Sequence, residues 1–201
     1  MDKIDYIELH SRNVKDEYKD LSTEEIKERL AKTSFPYAVC FEHWQGDFNM
    51  STGIRNANAF NAREVFYLGK RKWDKRGSVG THHYADVKHL ATIEDLKALK
   101  NKYLFYGIDN VGVTTPLSKI RWGLSVPLQY AYGTSPLMIF GEEGKGLTEE
   151  TLALCDVVVE IPMFGSVRSL NCGTASGIVM NDFVNKYLIH GPLRSKNDTN
   201  R

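Results

Sequence analysis

The sequence predicts an α/β protein whose sheet is mostly parallel, with helices on both faces. Five short runs are nearly continuous in apolar residues, and they lie at 37–41, 65–68, 103–108, 137–140 and 157–161. Continuous rather than alternating apolarity is typical of strands that are covered on both faces. Segments with helical character lie between these runs, so strand and helix alternate along the chain.

The first 34 residues are rich in charge and predict one or two short helices at the edge of the fold. Ser22 and Glu25 have the spacing of a capping box, in which each side chain bonds the backbone N–H group of the other residue. Ile26 and Leu30 then share one helical face. Residues 1–34 are therefore interpreted as an N-terminal helical extension, either a solvated appendage or an RNA-contacting element.

The domain that follows is predicted to span residues 35–190, with a flexible tail over residues 191–201. Helices are expected at about 49–60, 93–101 and 148–155, and a long apolar helix from Ala175 to Ile189. Thr92 is the expected cap of the second of these helices. Residues 109–136 contain three prolines and are less regular, so either a lid or a subunit contact is expected there.

Composition restricts the class of protein. The chain has 201 residues, 42% of them hydrophobic and 25% charged, which fits a globular domain. No apolar run approaches the roughly 20 residues that a membrane helix needs. Three cysteines without a CxxC pair, and no signal-peptide pattern at the start, predict a protein of the reducing cytoplasm. The net charge of +1 means that any attraction to nucleic acid must come from a local patch.

The stretch most informative about function follows the run at 157–161. Pro162 has no N–H group and ends the strand. A loop with Gly165, Ser169 and Asn171 leads into the long helix. Ligands commonly bind at such loops, at the carboxyl ends of parallel strands. An ordinary strand-to-helix turn has the same pattern, so this loop alone does not decide the function.

A second informative stretch is a glycine-rich turn after the run at 137–140. It reads Gly-Glu-Glu-Gly-Lys-Gly-Leu over residues 141–147. It is not a phosphate-binding P-loop, because Leu147 follows Gly146 where that motif requires a lysine. Two adjacent acids would also repel a phosphate group.

A third stretch lies at the start of the predicted helix 49–60. Asn49 is the expected N-cap, and Arg55 lies nearly two turns further along. Taken by itself, an arginine on a helix is usually a surface charge.

These three stretches together resemble the three motifs of the SpoU (TrmH-like) RNA ribose 2′-O-methyltransferases of the SPOUT superfamily. The Asn–Arg pair comes first, then Gly-x-Glu-x-x-Gly-Leu, then Ile-Pro-Met followed by Gly and Ser-Leu-Asn, all within residues 49–182. One departure is Gly173, where the family often has a serine, and this change is expected to tune activity. The chain resembles the shorter, tRNA-modifying members, since no separate N-terminal RNA-binding domain is expected.

The resemblance implies a SPOUT-type α/β trefoil knot that holds S-adenosylmethionine. It also implies a homodimer joined through the knot and the C-terminal helix, and transfer of a methyl group to a ribose 2′-OH, in tRNA more than in ribosomal RNA. A catalytically silent RNA-binding homologue and a SPOUT enzyme that methylates a base remain open. The residues it implies for cofactor binding are Ile108, Gly141, Ile161, Ser169 and Leu170.

The resemblance also implies roles in catalysis. Arg55 is expected to act either as the general base or as a clamp for the phosphate and the developing alkoxide. The residues expected to position the loops and Arg55 are Asn49, Glu143, Ser169 and Asn171.

RNA binding is expected at a basic loop after the run at 65–68, although a solvated loop would have the same composition. Its residues offer phosphate contacts and one aromatic surface: Lys70, Arg71, Lys72, Trp73, Lys75 and Arg76. The neighbouring His82 and His83 have no acidic or thiol partner at ligand spacing, so no metal site is expected.

Overall fold

Seven parallel strands form a single sheet in the computed structural model, which describes residues 13–43, 49–122 and 135–190. The strands are β1 (Phe35–His43), β2 (Ala62–Gly69), β3 (Val87–Leu90), β4 (Tyr103–Ile108), β5 (Thr115–Pro116), β6 (Ser135–Phe140) and β7 (Val157–Glu160). Their order across the sheet is β3-β2-β1-β6-β4-β7-β5. The predicted fold class is confirmed, and so are the five predicted strands.

Helices cover both faces of the sheet. They are α1 (Thr23–Thr33), α2 (Asn49–Ala59), α3 (Ile93–Ala98), α4 (Glu149–Leu154) and α5 (Cys172–His190). Successive residues of β1 point to opposite faces, so Val39 packs with α2 and α5 while Cys40 packs with α3 and α4. Two hydrophobic cores result, one on each face of the sheet.

Two strands were not predicted, and both lie at edges of the sheet. β3 contains Lys88 and His89, and β5 has only two residues. An edge strand is covered less completely than a central one, so it does not need a continuous apolar run.

Helix boundaries differ from prediction at two places that concern the motifs. Asn49 is the first residue of α2 rather than the cap before it. Helix α5 begins at Cys172, three residues before the predicted start at Ala175. Its N-cap is Asn171, whose Oδ1 accepts a hydrogen bond of 3.2 Å from the Thr174 backbone N–H group.

The region predicted as a lid or subunit contact is partly built into the fold. Leu117 and Ile120 are buried. The indole Nε1–H of Trp122 donates to Asp182 on α5 at 2.9 Å. Lys186, also on α5, donates to the Leu117 carbonyl at 2.8 Å. Residues 117–122 therefore pack against α5, and residues 135 and 136 of the predicted region belong to β6. Residues 123–134 lie outside the described residues, so a lid or a subunit contact there stays a prediction.

The N-terminal extension contains the predicted capping box. Ser22 Oγ accepts from the Glu25 N–H group at 3.2 Å, and Glu25 accepts from the Ser22 N–H group at 2.8 Å. Ile26 is buried, and Asn61 donates to the Leu30 carbonyl at 3.4 Å. The domain boundary near residue 34 stays a prediction, and the predicted tail 191–201 lies outside the described residues.

Candidate active site

An open cavity of about 670 Å³ lies at the carboxyl edge of the sheet, beyond the ends of β4, β6 and β7. The loops that follow these three strands form its walls. All five residues predicted to bind the cofactor line it, namely Ile108, Gly141, Ile161, Ser169 and Leu170. Their binding role stays a prediction, but the fold brings them to one place.

The lining of this cavity suits a partly apolar ligand. Ile108, Phe140, Val159 and Ile161 supply apolar side chains at the strand ends. Residues 141–146 of the glycine-rich turn also line the cavity. Ligand sites usually combine an apolar lining with a few polar groups of this kind, and an adenine ring meets both demands.

Gly141 gives the turn its shape. A Cβ atom on Gly141 would lie 2.1 Å from the carbonyl carbon of Gly146, so only glycine permits this close approach. Gly144 and Gly146 have φ angles of 85° and 70°, which side chains rarely adopt. The turn therefore folds back tightly and leaves its backbone facing the cavity.

Two residues that were not predicted as site residues hold the loops of the cavity together. Asp109 follows β4 and accepts the Leu147 N–H group at 2.8 Å. Asn110 donates to the Arg168 carbonyl at 2.5 Å. The sequence signal for both was a turn at the end of a strand, which marks a place for ligands without naming the side chains that act there.

The three motifs meet beside the cavity through one side chain from each. Asn49, at the start of α2, donates to the Glu143 carboxylate. Asn171 donates to the Asn49 side-chain oxygen at 2.7 Å and to Glu143 at 3.1 Å. Asn49 is separated from Glu143 by 94 positions and from Asn171 by 122 positions along the chain. The three side chains form one polar cluster, called here the Asn–Glu–Asn cluster.

Asn56 was missed by sequence reasoning. Its side-chain N–H group donates to the Gly173 carbonyl at 2.7 Å and to Ser176 at 3.0 Å, so it ties α2 to the first turns of α5. Gly173 allows the two helices to approach, because a Cβ atom there would lie 2.8 Å from the methyl carbon of Thr52. An asparagine within a helix gives no sequence signal for such a contact, since it usually faces solvent.

Arg55 differs from the other predicted catalytic residues. It lies on α2 with Asn49 and is exposed. Within residues 13–43, 49–122 and 135–190 its side chain forms no hydrogen bond or ion pair, and it is not part of the cavity lining. Ser169 is also exposed but does line the cavity. A side chain without protein partners is available to a large substrate outside the cavity.

The predicted RNA-binding loop, residues 70–76, follows β2 and so lies at the same edge of the sheet. The turns Arg76–Ser78 and Thr81–His83 pack against α2, the helix that carries Arg55. Lys70, Arg71, Lys72, Lys75 and Arg76 are exposed.

Two members of this loop are already engaged within the protein. Trp73 is half-buried, with Lys75 5.9 Å above its ring, so less of the indole is open to bases than the sequence suggests. Arg76 pairs with Asp74 through hydrogen bonds of 2.6 and 3.0 Å, which lower the pKa of that carboxyl group.

The histidine pair beside this loop is explained by local packing. Burial, followed by the charges of His83 and Lys75, lowers the pKa of His82, so its ring is neutral near pH 7. Its Nδ1 lies 2.6 Å from Ser78 Oγ. In the part of the chain that the structure describes, no three His, Cys, Asp or Glu side chains are grouped to hold a metal ion. The same residues include no helix long and apolar enough to cross a membrane.

Many α/β proteins bind small molecules at the carboxyl edge of a parallel sheet. The cavity and the polar cluster of this protein lie at that edge, which is typical of this class. The family model described as the SpoU rRNA Methylase family matches residues 36–181, and the chain belongs to this family.

Curated relatives include enzymes for two kinds of RNA. The tRNA (guanosine(18)-2′-O)-methyltransferase of Escherichia coli strain K12 is 31% identical over 159 residues, which are 77% of this chain and 66% of that enzyme. The chain thus spans slightly less than two thirds of that relative's length. The 23S rRNA (guanosine-2′-O-)-methyltransferase RlmB of Vibrio parahaemolyticus is 27% identical over 85% of this chain and 67% of its own length.

Solved structures show the same fold. The A. aeolicus TrmH/SpoU tRNA modifying enzyme has a TM-score of 0.68 at 17% identity, over 84% of this chain and 86% of its own. The SpoU methyltransferase AviRb of Streptomyces viridochromogenes, solved with the cofactor AdoMet, has a TM-score of 0.62 at 23% identity, over 78% of this chain and 60% of its own.

Proposed function

We propose that the protein is an S-adenosylmethionine-dependent RNA methyltransferase of the cytoplasm that modifies a ribose 2′-OH, with tRNA as its substrate. The observation that carries this proposal is the Asn–Glu–Asn cluster, in which one side chain from each of three distant motifs meets beside a ligand cavity. The E. coli relative named for a tRNA 2′-O-methylation supports the substrate class.

The cavity is the proposed cofactor site. Ile108 and Ile161 line the cavity and would pack on an adenine ring, which the backbone of Gly141 would approach closely. When bound, the cofactor would supply an electrophilic methyl group on its sulfonium. The loops that hold this site are tied together by Asp109 and Asn110, so the chain fixes the cavity before any ligand enters.

Arg55 is the proposed contact to the reacting nucleotide. The reaction would join the ribose 2′-oxygen to the methyl carbon, leave the electron pair of the broken carbon–sulfur bond on the sulfur, and release the 2′-OH proton to water. Arginine rarely gives up its proton, so we assign Arg55 to binding the adjacent phosphate and to stabilising negative charge that develops on the 2′-oxygen. The Asn–Glu–Asn cluster holds the start of α2 beside the cavity and thereby sets the position of Arg55 relative to the cavity.

We further propose that the chain forms a homodimer and that its fold contains the trefoil knot implied by the family resemblance. Phe164 is 97% exposed in the loop after β7, and Ile178, Leu188 and Ile189 are exposed on α5. Exposed large apolar side chains of this kind are common at protein–protein interfaces, and they support the proposal of a dimer. A second copy of this chain, joined through α5 and the segment around the cavity, is the proposed occupant, and sedimentation analysis tests it.

The experiment that tests the function uses labelled S-adenosylmethionine with tRNA and ribosomal RNA in separate reactions. Each product is digested to nucleosides and assayed for 2′-O-methyl species. Label in a 2′-O-methyl nucleoside from tRNA is the expected result. Label on a base would overturn the reaction type, and an inactive protein that still binds RNA would indicate a silent homologue.

The role of Arg55 is tested with Arg55→Ala in the same assay. Turnover is expected to fall by about 100-fold or more, because a group that stabilises the transition-state charge is lost. Cofactor affinity, measured by calorimetry, is expected to stay within about twofold of wild type. Parallel loss of cofactor affinity would contradict this assignment. Arg63→Ala is a matched control, since Arg63 is also exposed but lies near the amino end of β2, away from the carboxyl ends of the strands.

Ribosomal RNA is a second candidate substrate. The RlmB relative, named for 23S rRNA, aligns with 85% of this chain, more than the tRNA enzyme does. Label appearing in ribosomal RNA alone would select this candidate.

A further inference from the structure

The backbone of the basic loop, and of Gly69 directly before it, is held by side chains from three neighbouring strands. His89 on β3 contacts the Gly69 carbonyl through Nε2 at 2.7 Å. Tyr67 on β2 donates its hydroxyl proton to the Arg71 carbonyl at 3.3 Å. His43, the last residue of β1, contacts the Lys72 carbonyl through Nε2 at 3.0 Å. Three carbonyls within residues 69–72 are thus held from the edge of the sheet.

His43 is the most unusual of these three residues. It is only 1% exposed, and its second ring nitrogen, Nδ1, has no hydrogen-bond partner among the described residues. A carbonyl oxygen only accepts, so Nε2 is the donor in this contact, and Nδ1 is left as a buried nitrogen without a partner among the described residues. A buried polar atom without a partner destabilises a fold. Stability alone would favour an apolar residue at this position.

The hydrogen bond from His43 has a clear effect on the loop. The Lys72 carbonyl points toward the sheet, while the side chains of Lys70, Arg71 and Lys72 are exposed. The same chain then continues into the turn Arg76–Ser78, which packs against α2. His43 therefore fixes where the basic side chains stand relative to the helix that carries Arg55.

We propose that His43 is a positioning residue for RNA binding, which holds the basic loop in its binding orientation before RNA arrives. This inference rests on the proposed function, because it requires the basic loop to contact RNA. Preorganisation raises affinity by removing the cost of ordering a loop on binding, without adding a contact.

The test compares His43→Leu with His43→Gln in the full-length protein. Leucine fills the buried space but removes the donor. Glutamine places an amide N–H group near the position of Nε2 and is expected to restore binding. Tyr67→Phe is a second variant that removes a neighbouring bond of the same kind and keeps the ring. Affinity for a tRNA transcript is measured by fluorescence anisotropy over a series of salt concentrations, with thermal unfolding alongside.

For His43→Leu we expect the dissociation constant to rise by about three- to tenfold, the range for ordering a few side chains and a short loop. The slope of log affinity against log salt is expected to stay the same, because the same phosphate contacts form in the complex. The melting temperature is expected to change little, because loss of the unpaired Nδ1 offsets loss of the donor to the Lys72 carbonyl. Glutamine is expected to restore most of the affinity.

The double variant Lys72→Glu/Arg76→Glu separates the two proposals. It is expected to weaken binding and to flatten the salt slope. If it binds RNA as wild type does, the basic loop is not an RNA site and both proposals about this loop are overturned. If it binds weakly while His43→Leu and Tyr67→Phe bind normally, only the role of His43 is overturned. A His43→Leu protein that loses stability and salt slope together would also overturn that role, because it would point to collapse of the loop.

Discussion

Two buried glutamates, one near the carboxyl ends of the strands and one near the amino ends, bind different kinds of partner. Glu42, near the carboxyl end of β1, is 3% exposed and Glu64, near the start of β2, is 8% exposed. Glu42 accepts hydrogen bonds from the Thr148 N–H group at 2.9 Å and from the hydroxyls of Thr148 and Thr151 at 2.7 Å. Glu64 instead binds Lys88 at 2.6 Å, and also Lys102 and Tyr103.

The partners explain the difference. Thr148 caps α4 and directly follows the turn of residues 141–147, so Glu42 positions a loop of the cavity. The partners of Glu64 lie on or beside β3 and β4, so Glu64 ties strands together. Burial by itself would raise the pKa of Glu64, but hydrogen bonds from Lys102, Lys88 and Tyr103 outweigh it and lower the pKa to about 2. Changes at the carboxyl edge should therefore affect activity, and changes at the amino edge should affect stability.

The largest expected effect of this contrast is at the carboxyl edge. Asn171→Ala removes one member of the Asn–Glu–Asn cluster, and turnover is expected to fall by about 100-fold as the start of α2 loses its position. It also removes the cap of α5, which costs about 1 kcal/mol of unfolding free energy. Ser22→Ala is the matched control, because it removes the cap of α1 far from the cavity. Equal loss of activity in both variants, measured by methyl transfer, would show that capping alone explains the effect.

At the amino edge the expected effect is on stability. Glu64→Gln is expected to lower the unfolding free energy by about 1–2 kcal/mol, because charge-assisted hydrogen bonds to two lysines are lost. Turnover is expected to stay unchanged. The folded pKa is lowered from the ordinary value of 4.5, so the contribution of Glu64 is fully present above about pH 5 and is lost as the pH falls toward 2. Denaturant unfolding of both proteins should show a difference at pH 7 that shrinks below pH 4.5, and a difference that grows there would contradict the pairing.

The smallest expected effect is on cofactor affinity. Gly141→Ala places a Cβ atom against the backbone of Gly146, so the turn must shift, and the cofactor dissociation constant is expected to rise by about tenfold, or about 1.4 kcal/mol. Gly165→Ala is the control in a neighbouring loop, because a Cβ atom there meets nothing within 4 Å. Calorimetric titration with S-adenosylmethionine measures both. Similar affinity in the two variants would show that the turn tolerates the side chain.

The central strands and the motif positions were accessible to sequence reasoning for a physical reason. Strands such as β4 and β6 are buried on both faces, so they require continuous apolar residues that are visible in the sequence. The start of α2 and the turn at 141–147 carry distinctive residues at fixed spacing, and these predicted which side chains belong to the site.

Other features left no signal of that kind. Edge strands β3 and β5 need little apolarity, Asn56 looks like any polar helix residue, and the burial of His43 depends on strands that pair with β1. The close approach of Gly173 to Thr52 on another helix is likewise invisible in the local sequence. Each of these depends on a partner that lies far away along the chain.

The sequence by itself determined the α/β class, the order of the central elements and the family, since local apolar patterns and motif residues express these directly. The tertiary structure decided which residues meet: Asn49 with Glu143 and Asn171, Asp109 with Leu147, and His43 with the Lys72 carbonyl. A parallel sheet gathers the carboxyl ends of its strands at one edge, so the site is assembled by strand order, which is a property of the whole fold.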